Sequence, residues 1–278
     1  MKLTVLLDNN TFIDRYFLGE PGVSYFIEDN GKRILFDTGY SDAFLRNAHR
    51  MKIDLLDLEH IVLSHGHLDH TWGLDSMVKL FTEAKIEGFK HSKPTVVAHP
   101  LVFNTKIHAD LGEIGSLFCA EKLSRIFKLQ LSKEPLWLTE NIVFLGEIPR
   151  IYDFELSEPE SKVIIEEKEE EDNLVEDTAL AVKTEKGLVI VTGCSHSGIC
   201  NMIEYAKNVC NEDRIIDVIG GFHLLRPSEK KINGTVEYFR KLNATEVHAC
   251  HCTDLTSRIK LSTVCELKEV GSGLQLEY

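Results

Sequence analysis

The chain is short of several things that would have assigned it to a class at once. No apolar run approaches the roughly 18 residues of a membrane-spanning helix, and the opening Met1-Lys2-Leu3-Thr4-Val5-Leu6-Leu7-Asp8 is too brief for a signal peptide. The expected compartment is the cytoplasm, with no membrane partner. Basic residues are outnumbered, 31 Lys and Arg against 44 Asp and Glu, and the formal charge of −13 argues against a nucleic-acid groove, which draws on clustered cations. Seven cysteines are an odd number without paired Cys-x-x-Cys spacing, which disfavours a disulfide framework or a zinc ribbon and fits reduced thiols. What remains is a 278-residue globular chain, 43% hydrophobic, long enough to bury a substantial core.

Against that background one stretch stands out. Ser64-His65-Gly66-His67-Leu68-Asp69-His70 places three imidazoles and a carboxylate within six positions, after the apolar run Ile61-Val62-Leu63 and before the helical spacing of Asp75 to Phe81. Imidazole nitrogen and carboxylate oxygen suit zinc, iron(II) or manganese, and four such groups in a short loop can serve two adjacent metals.

The rest of the chain repeats one pattern. Ser24 to Glu28 and Arg33 to Phe36 flank Asp29-Asn30-Gly31, a hairpin signal, followed by the loop Phe36-Asp37-Thr38-Gly39 and a helical pattern from Ser41 to Met51. Thr178 to Val182 and Leu188 to Val191 flank Thr184-Glu185-Lys186-Gly187, followed by Thr192-Gly193-Cys194-Ser195-His196-Ser197-Gly198 and a helix near Ile199 to Val209. The expectation is one domain over 1–278, α+β in class, built of two similar halves as a four-layer αβ/βα sandwich. The acidic excursion near 157–176, with Glu166-Glu167-Lys168-Glu169-Glu170-Glu171-Asp172, reads as a solvated loop.

Further histidines follow apolar runs. His99 ends Thr95-Val96-Val97-Ala98, His223 follows Asp217-Val218-Ile219-Gly220-Gly221-Phe222, and His251 follows Glu246-Val247-His248-Ala249-Cys250; His196 stands in the loop after Val191. With His65, His67, Asp69 and His70, these make His99, His196 and His251 the remaining candidate ligands, and Cys194 a candidate soft ligand. Asp69 and His223 are the candidate catalytic groups. His49, His91 and His108 lack this setting and read as structural. Period-two alternation on an extended strand would turn Cys250 and Cys252 away from His251, as packing residues. Asp37 and Asp177 are expected to orient the ligands from behind. Gly220 and Gly221 would let backbone N–H groups approach an anion, with Arg226 adding charge.

The His65–His70 segment resembles the His-x-His-x-Asp-His motif of the metallo-β-lactamase superfamily. There the first two histidines serve one metal, the Asp and last His the other, and a bridging Asp is common where Cys194 stands. Together with Ala98-His99-Pro100, Gly146-Glu147-Ile148-Pro149-Arg150, Glu176-Asp177, Thr192 to Ile199, Gly220 to Leu224 and His251-Cys252-Thr253, it resembles one branch across nearly the whole chain. That branch comprises the proteins named 7,8-dihydropterin-6-methyl-4-(β-D-ribofuranosyl)-aminobenzene-5'-phosphate synthase, often described only as metal-dependent hydrolases. Trp72 departs from the branch, where a small residue is usual, and so does Asp254, where Gly is common. The resemblance implies two divalent metals, zinc first with manganese or iron as alternatives, and a small phosphate- or diphosphate-bearing substrate. The reaction would be transfer of a dihydropterin to an arylamine ribose phosphate with release of pyrophosphate, or hydrolysis of a phosphodiester, thioester or lactone. Diiron redox chemistry is a further alternative, against which the length leaves no room for a flavin domain. A homo-oligomer is compatible with all three.

Overall fold

The computed structural model describes residues 1–278 and is mixed α and β, with three sheets in two compact units. The first unit comprises Met1–Ser132, Pro159–Glu176 and Gly271–Tyr278; the second comprises Lys133–Glu158 and Asp177–Val270.

The first unit is built on a seven-stranded sheet ordered Gln275–Glu277, Lys2–Leu7, Ser24–Asp29, Lys32–Phe36, His60–Val62, Thr95–Ala98 and Lys128–Leu131. Its first pairings are antiparallel and its last three parallel. Asn30 and Gly31 close the hairpin with φ of 48° and 78°, the left-handed geometry that an Asn-Gly turn supplies at low cost. Helices Ala43–Arg50 and Leu74–Glu87 cover one face. In the longer helix Leu74, Met77, Phe81 and Ala84 recur at helical spacing and are buried with Leu35, Phe44, Ile61, Leu63 and Val96. Gly88, at φ 73°, ends it in the left-handed conformation.

The second unit repeats the order. The hairpin Ala179–Thr184 and Gly187–Thr192 leads through a loop to helix Ile199–Cys210, then to the parallel strands Ile215–Gly221 and Glu246–Cys250. Ile142–Phe144 and Leu136–Trp137 extend the other side of its six-stranded sheet. Ile199, Met202, Ile203 and Ala206 bury against Ile190, Val218, Val247 and Ala249. This core is separate from the first.

The charged run of the acidic excursion, Glu166 to Glu171, is exposed as its charge leads one to expect, but it is a hairpin and not a loop. Strands Ser161–Ile165 and Lys168–Glu171 form a hairpin that pairs with Lys106–His108 in a four-stranded sheet of the first unit. The exposed run comprises the turn Glu166-Glu167 and the strand Lys168–Glu171. The segment ends in two carboxylates, Asp172 and Glu176, that are 4% and 1% exposed. Their partner is Lys106, which explains why so acidic a segment returns to the interior.

Candidate metal centre

The loop after His60–Val62 is held by one buried carboxylate. Asp37, at φ 57° in the loop after Lys32–Phe36, accepts the Ser64 backbone N–H at Oδ1 (2.7 Å) and the Ser64 hydroxyl at Oδ2 (2.6 Å). The same Oδ2 lies 2.7 Å from His70 Nδ1. Ser64 Oγ in turn lies 2.9 Å from His65 Nδ1. With both Nδ1 atoms engaged as donors, His65 and His70 are set in the tautomer that carries the lone pair on Nε2, the usual outer support of a metal-binding imidazole. The His65 ring centroid is 4.2 Å from that of His70 and 4.7 Å from that of His67. Asp69 Oδ1 is 3.8 Å from His70 Nε2. Burial, reinforced by the charge of Lys106, pushes the His67 imidazole down to about 4, so it is neutral at pH 7. Three imidazoles and a carboxylate in this arrangement fit a borderline divalent metal such as zinc.

His99 has a different character. It is fully buried at the end of Thr95–Ala98, and its Nδ1 accepts the Leu101 backbone N–H at 3.1 Å. A neutral ring that accepts there carries its proton on Nε2, which makes it a hydrogen-bond donor at the place expected to ligate.

Lys106 was not singled out by sequence. Its side chain is 0% exposed, with Nζ 2.8 Å from Asp172 and 2.7 Å from Glu176. A Cβ on Gly66 would come within 2.7 Å of Lys106 Cε and of the Val102 carbonyl oxygen. The glycine inside the histidine motif is therefore required by the Val102 carbonyl and the lysine packed on it.

In the second unit Cys194 and His251 come together, His251 Nε2 lying 3.1 Å from Cys194 Sγ. The His196 and His223 rings lie 4.3 Å apart. Ser195 takes φ 60°, and its hydroxyl donates to the Gly221 carbonyl at 2.7 Å while lying 2.9 Å from Thr192 Oγ1. Asp177 Oδ2 accepts the Ser197 N–H at 2.7 Å. Glu155, which sequence reasoning missed, accepts the N–H groups of Cys200 (3.0 Å) and Asn201 (2.9 Å) at the start of the helix that follows the loop.

Two expectations fail here. Cys252 does not point away as a packing residue: its thiol donates to the Cys194 carbonyl (3.4 Å) and accepts the His223 N–H (3.3 Å). The strand ends at Cys250 and His251 turns to φ 49°, so strand alternation does not carry past that point. Burial works to raise the Cys252 thiol, but a hydrogen bond with the Cys194 side chain, distinct from the contact to its carbonyl, and the charge of His251 outweigh it and hold it well below an ordinary thiol. Gly221 does not offer its N–H to an anion either, because that group donates to the Gly193 carbonyl at 2.9 Å. The next two N–H groups are also engaged, Phe222 with Thr253 Oγ1 and His223 with Cys252. Close packing explains both glycines: a Cβ would meet the Thr192 oxygen at 2.1 Å from Gly220, and Cys252 Sγ at 2.5 Å from Gly221. Arg226 is exposed, its N–H donating to Asp254 Oδ2 at 2.7 Å. His248 pairs with Asp217 at 2.8 Å, apart from this cluster.

A family model for the metallo-β-lactamase superfamily matches residues 18–109, which include Asp37, the histidine loop and His99. An uncharacterized protein of Methanocaldococcus jannaschii is 34% identical over 261 residues, 94% of this chain and 93% of its own. The chain belongs to the metallo-β-lactamase superfamily. The 7,8-dihydropterin-6-methyl-4-(beta-D-ribofuranosyl)-aminobenzene-5'-phosphate synthase of the same organism is 30% identical over 279 residues, 91% of this chain and 87% of that protein. The crystal structure of a metal-dependent hydrolase of the β-lactamase superfamily superposes with a TM-score of 0.83 at 29% identity, covering 100% of this chain and 99% of the other. This metallo-β-lactamase chain is accordingly a metal-dependent enzyme of that fold, and membership implies divalent metal binding. No helix in it is long and apolar enough to cross a membrane.

Proposed function

We propose that the chain is a dinuclear-metal enzyme acting on a small phosphate- or diphosphate-bearing molecule, transferring a dihydropterin to an arylamine ribose phosphate with loss of pyrophosphate. His65, His67, Asp69, His70, His196 and His251 are the ligands of two divalent metals, zinc first, with Cys194 as a soft ligand. The observation that carries the metal assignment is the Asp37 anchor, which orders both His65 and His70 through their Nδ1 atoms. Bound there, the metals supply Lewis acidity and charge neutralisation for phosphoryl oxygens. His99 enters as an N–H donor to substrate. His223, its ring against His196, holds a proton for the departing oxygen, and the exposed Arg226 adds a positive charge. The substrate class is supported by the name of the 30% identical synthase, which spans nearly the same length. A hydrolase of a phosphodiester, thioester or lactone is the second reading, favoured by the 29% identical hydrolase structure.

The test supplies a dihydropterin diphosphate together with the arylamine ribose phosphate to zinc-, manganese- and iron-loaded protein. A coupled product with pyrophosphate supports transfer; release of phosphate or alcohol from a single substrate, with no coupled product, supports hydrolysis. His223→Ala should keep its metal and lose about two orders of magnitude in turnover, the scale of a removed general acid. Loss of metal in that variant would make His223 a ligand, and full activity would remove it from the mechanism.

A further inference from the structure

We propose that Tyr40 and Trp72 form a stacking wall for the flat heteroaromatic ring of the substrate, beside Asp69. The proposal deepens the function proposed above and rests on it for the premise that a small substrate reaches the histidine loop.

Trp72 follows His70 by two residues and caps the single helical turn Leu68–Thr71, its N–H donating to the Leu68 carbonyl at 3.0 Å. Asp69 and Trp72 therefore stand at i and i+3 on one turn, which puts both on the same face with Cβ atoms about 5–6 Å apart. The indole is held in place, Nε1 donating to the Gly115 carbonyl at 2.7 Å. Tyr40 stacks on it with ring centroids 5.2 Å apart and planes at 25°. Tyr40 remains 43% exposed, and neither ring joins the core of its unit.

The loops that carry the two rings are locked to each other. Thr38 donates to the His70 carbonyl from both N (3.0 Å) and Oγ1 (2.9 Å), and Gly73 N donates to the Gly39 carbonyl at 3.1 Å. A Cβ on Gly73 would stand 2.0 Å from the Thr38 oxygen, so the two backbones pack against each other with no room for a side chain between them. The same two loops carry Asp37 and His70. A rigid pair of rings, Tyr40 exposed and Trp72 half-buried, on the shoulder of a candidate metal centre suits a planar π-system, since ring faces attract one another with little regard for ring identity. A sugar or an alkyl chain would gain much less from it.

Trp72 and Trp137 are the two tryptophans. With Trp137→Phe as background, Trp72 emission reports on the wall directly. The probes are 6-hydroxymethylpterin, 4-aminobenzoate and D-ribose 5-phosphate, titrated into full-length protein, with N-acetyltryptophanamide correcting for absorption by the ring and calorimetry supplying Kd. At least one ring probe is expected to quench Trp72. Its Kd should rise roughly ten-fold or more in Trp72→Leu and in Tyr40→Leu, and be largely restored in Trp72→Phe. Ribose phosphate affinity should not change. The pterin and arylamine arms show which ring the wall takes.

Equal ring affinity in wild type and Trp72→Leu would overturn the proposal. So would absence of ring binding at millimolar concentration, or a matching loss of ribose phosphate binding, which would mark general collapse of the loop. Ring binding that depends on Trp72, without turnover of any phosphate ester, would leave the wall standing and remove the catalytic reading. Turnover with ring binding that ignores Trp72 would do the reverse.

Discussion

In the first unit the parallel strands Lys32–Phe36, His60–Val62 and Thr95–Ala98 are followed by Asp37, His65 and His99; in the second, Gly187–Thr192, Ile215–Gly221 and Glu246–Cys250 are followed by Cys194, His223 and His251. The places correspond and the means of support differ. Asp37 is a charged anchor that gathers three hydrogen bonds, two of them onto one oxygen. The corresponding loop of the second unit is pinned by neutral groups: the Ser195 hydroxyl against the Gly221 carbonyl and Thr192, with the Asp177 and Glu155 carboxylates farther along. The lesson is that a carboxylate at the centre sets imidazole tautomers. Where a thiol and a histidine stand instead, order is supplied from the rim.

The widest separation between the halves should come from Asp37→Ala. It strands the Ser64 hydroxyl and N–H and the His70 Nδ1 in a fully buried site, so the loss should be about 3–5 kcal/mol, the scale of removing one partner from a buried charged network. Urea denaturation of the metal-free protein measures it, and elemental analysis should show metal lost as well. A change below about 1 kcal/mol would mean that the anchor is dispensable and the contrast empty.

Next comes the support beneath the histidine loop. Lys106→Met leaves Asp172 and Glu176 buried without their cation, again at about 3–5 kcal/mol. Adding Asp172→Asn and Glu176→Gln to the same chain should recover much of the loss, because the penalty lies in the uncompensated charge. A triple variant no more stable than Lys106→Met would assign the loss to packing on Gly66.

These two sites differ in how far the sequence disclosed them. The histidine loop, the hairpins and the repeated order were legible because each is a local pattern of residue types over a few positions. Lys106 was not, since its partners lie 66 and 70 residues away in a segment whose charge suggests water. The wrong placement of Cys252 has a related origin: alternation is a rule for extended backbone, and His251 has already left it. The glycines at 220 and 221 signalled close approach correctly, but nothing local says that the approaching groups are Thr192 and Cys252 in place of an anion.

The electrostatic side of the contrast can be sharpened by pH. His67, held at about 4 by burial and Lys106, stays neutral in the folded chain where an unfolded histidine, near 6.5, binds a proton. The unfolded state therefore binds more protons between these values. The contribution is present in full above about pH 6.5 and is lost as pH falls towards 4, amounting to about 3 kcal/mol at most and less for the part of the ring that water reaches. In metal-free protein, His67→Asn should flatten the fall in stability across that window relative to wild type. Parallel curves would show that His67 is not the group responsible.

The smallest effect tests the other half. Ser195→Ala removes a hydroxyl that donates to the Gly221 carbonyl and meets Thr192 Oγ1, both neutral partners. A lost neutral hydrogen bond costs about 1 kcal/mol. The Gly221 carbonyl and Thr192 hydroxyl left behind are buried, which puts the upper figure near 2 kcal/mol, still below Asp37→Ala. Because Ser195 sits at φ 60°, Ser and Ala carry the same Cβ strain there, so Ser195→Ala reports the lost hydroxyl, while Ser195→Gly loses the hydroxyl and relieves the strain as well. If Ser195→Ala matched Asp37→Ala in urea, the neutral rim would be as strong a support as the charged centre, and the distinction between the halves would be one of chemistry alone.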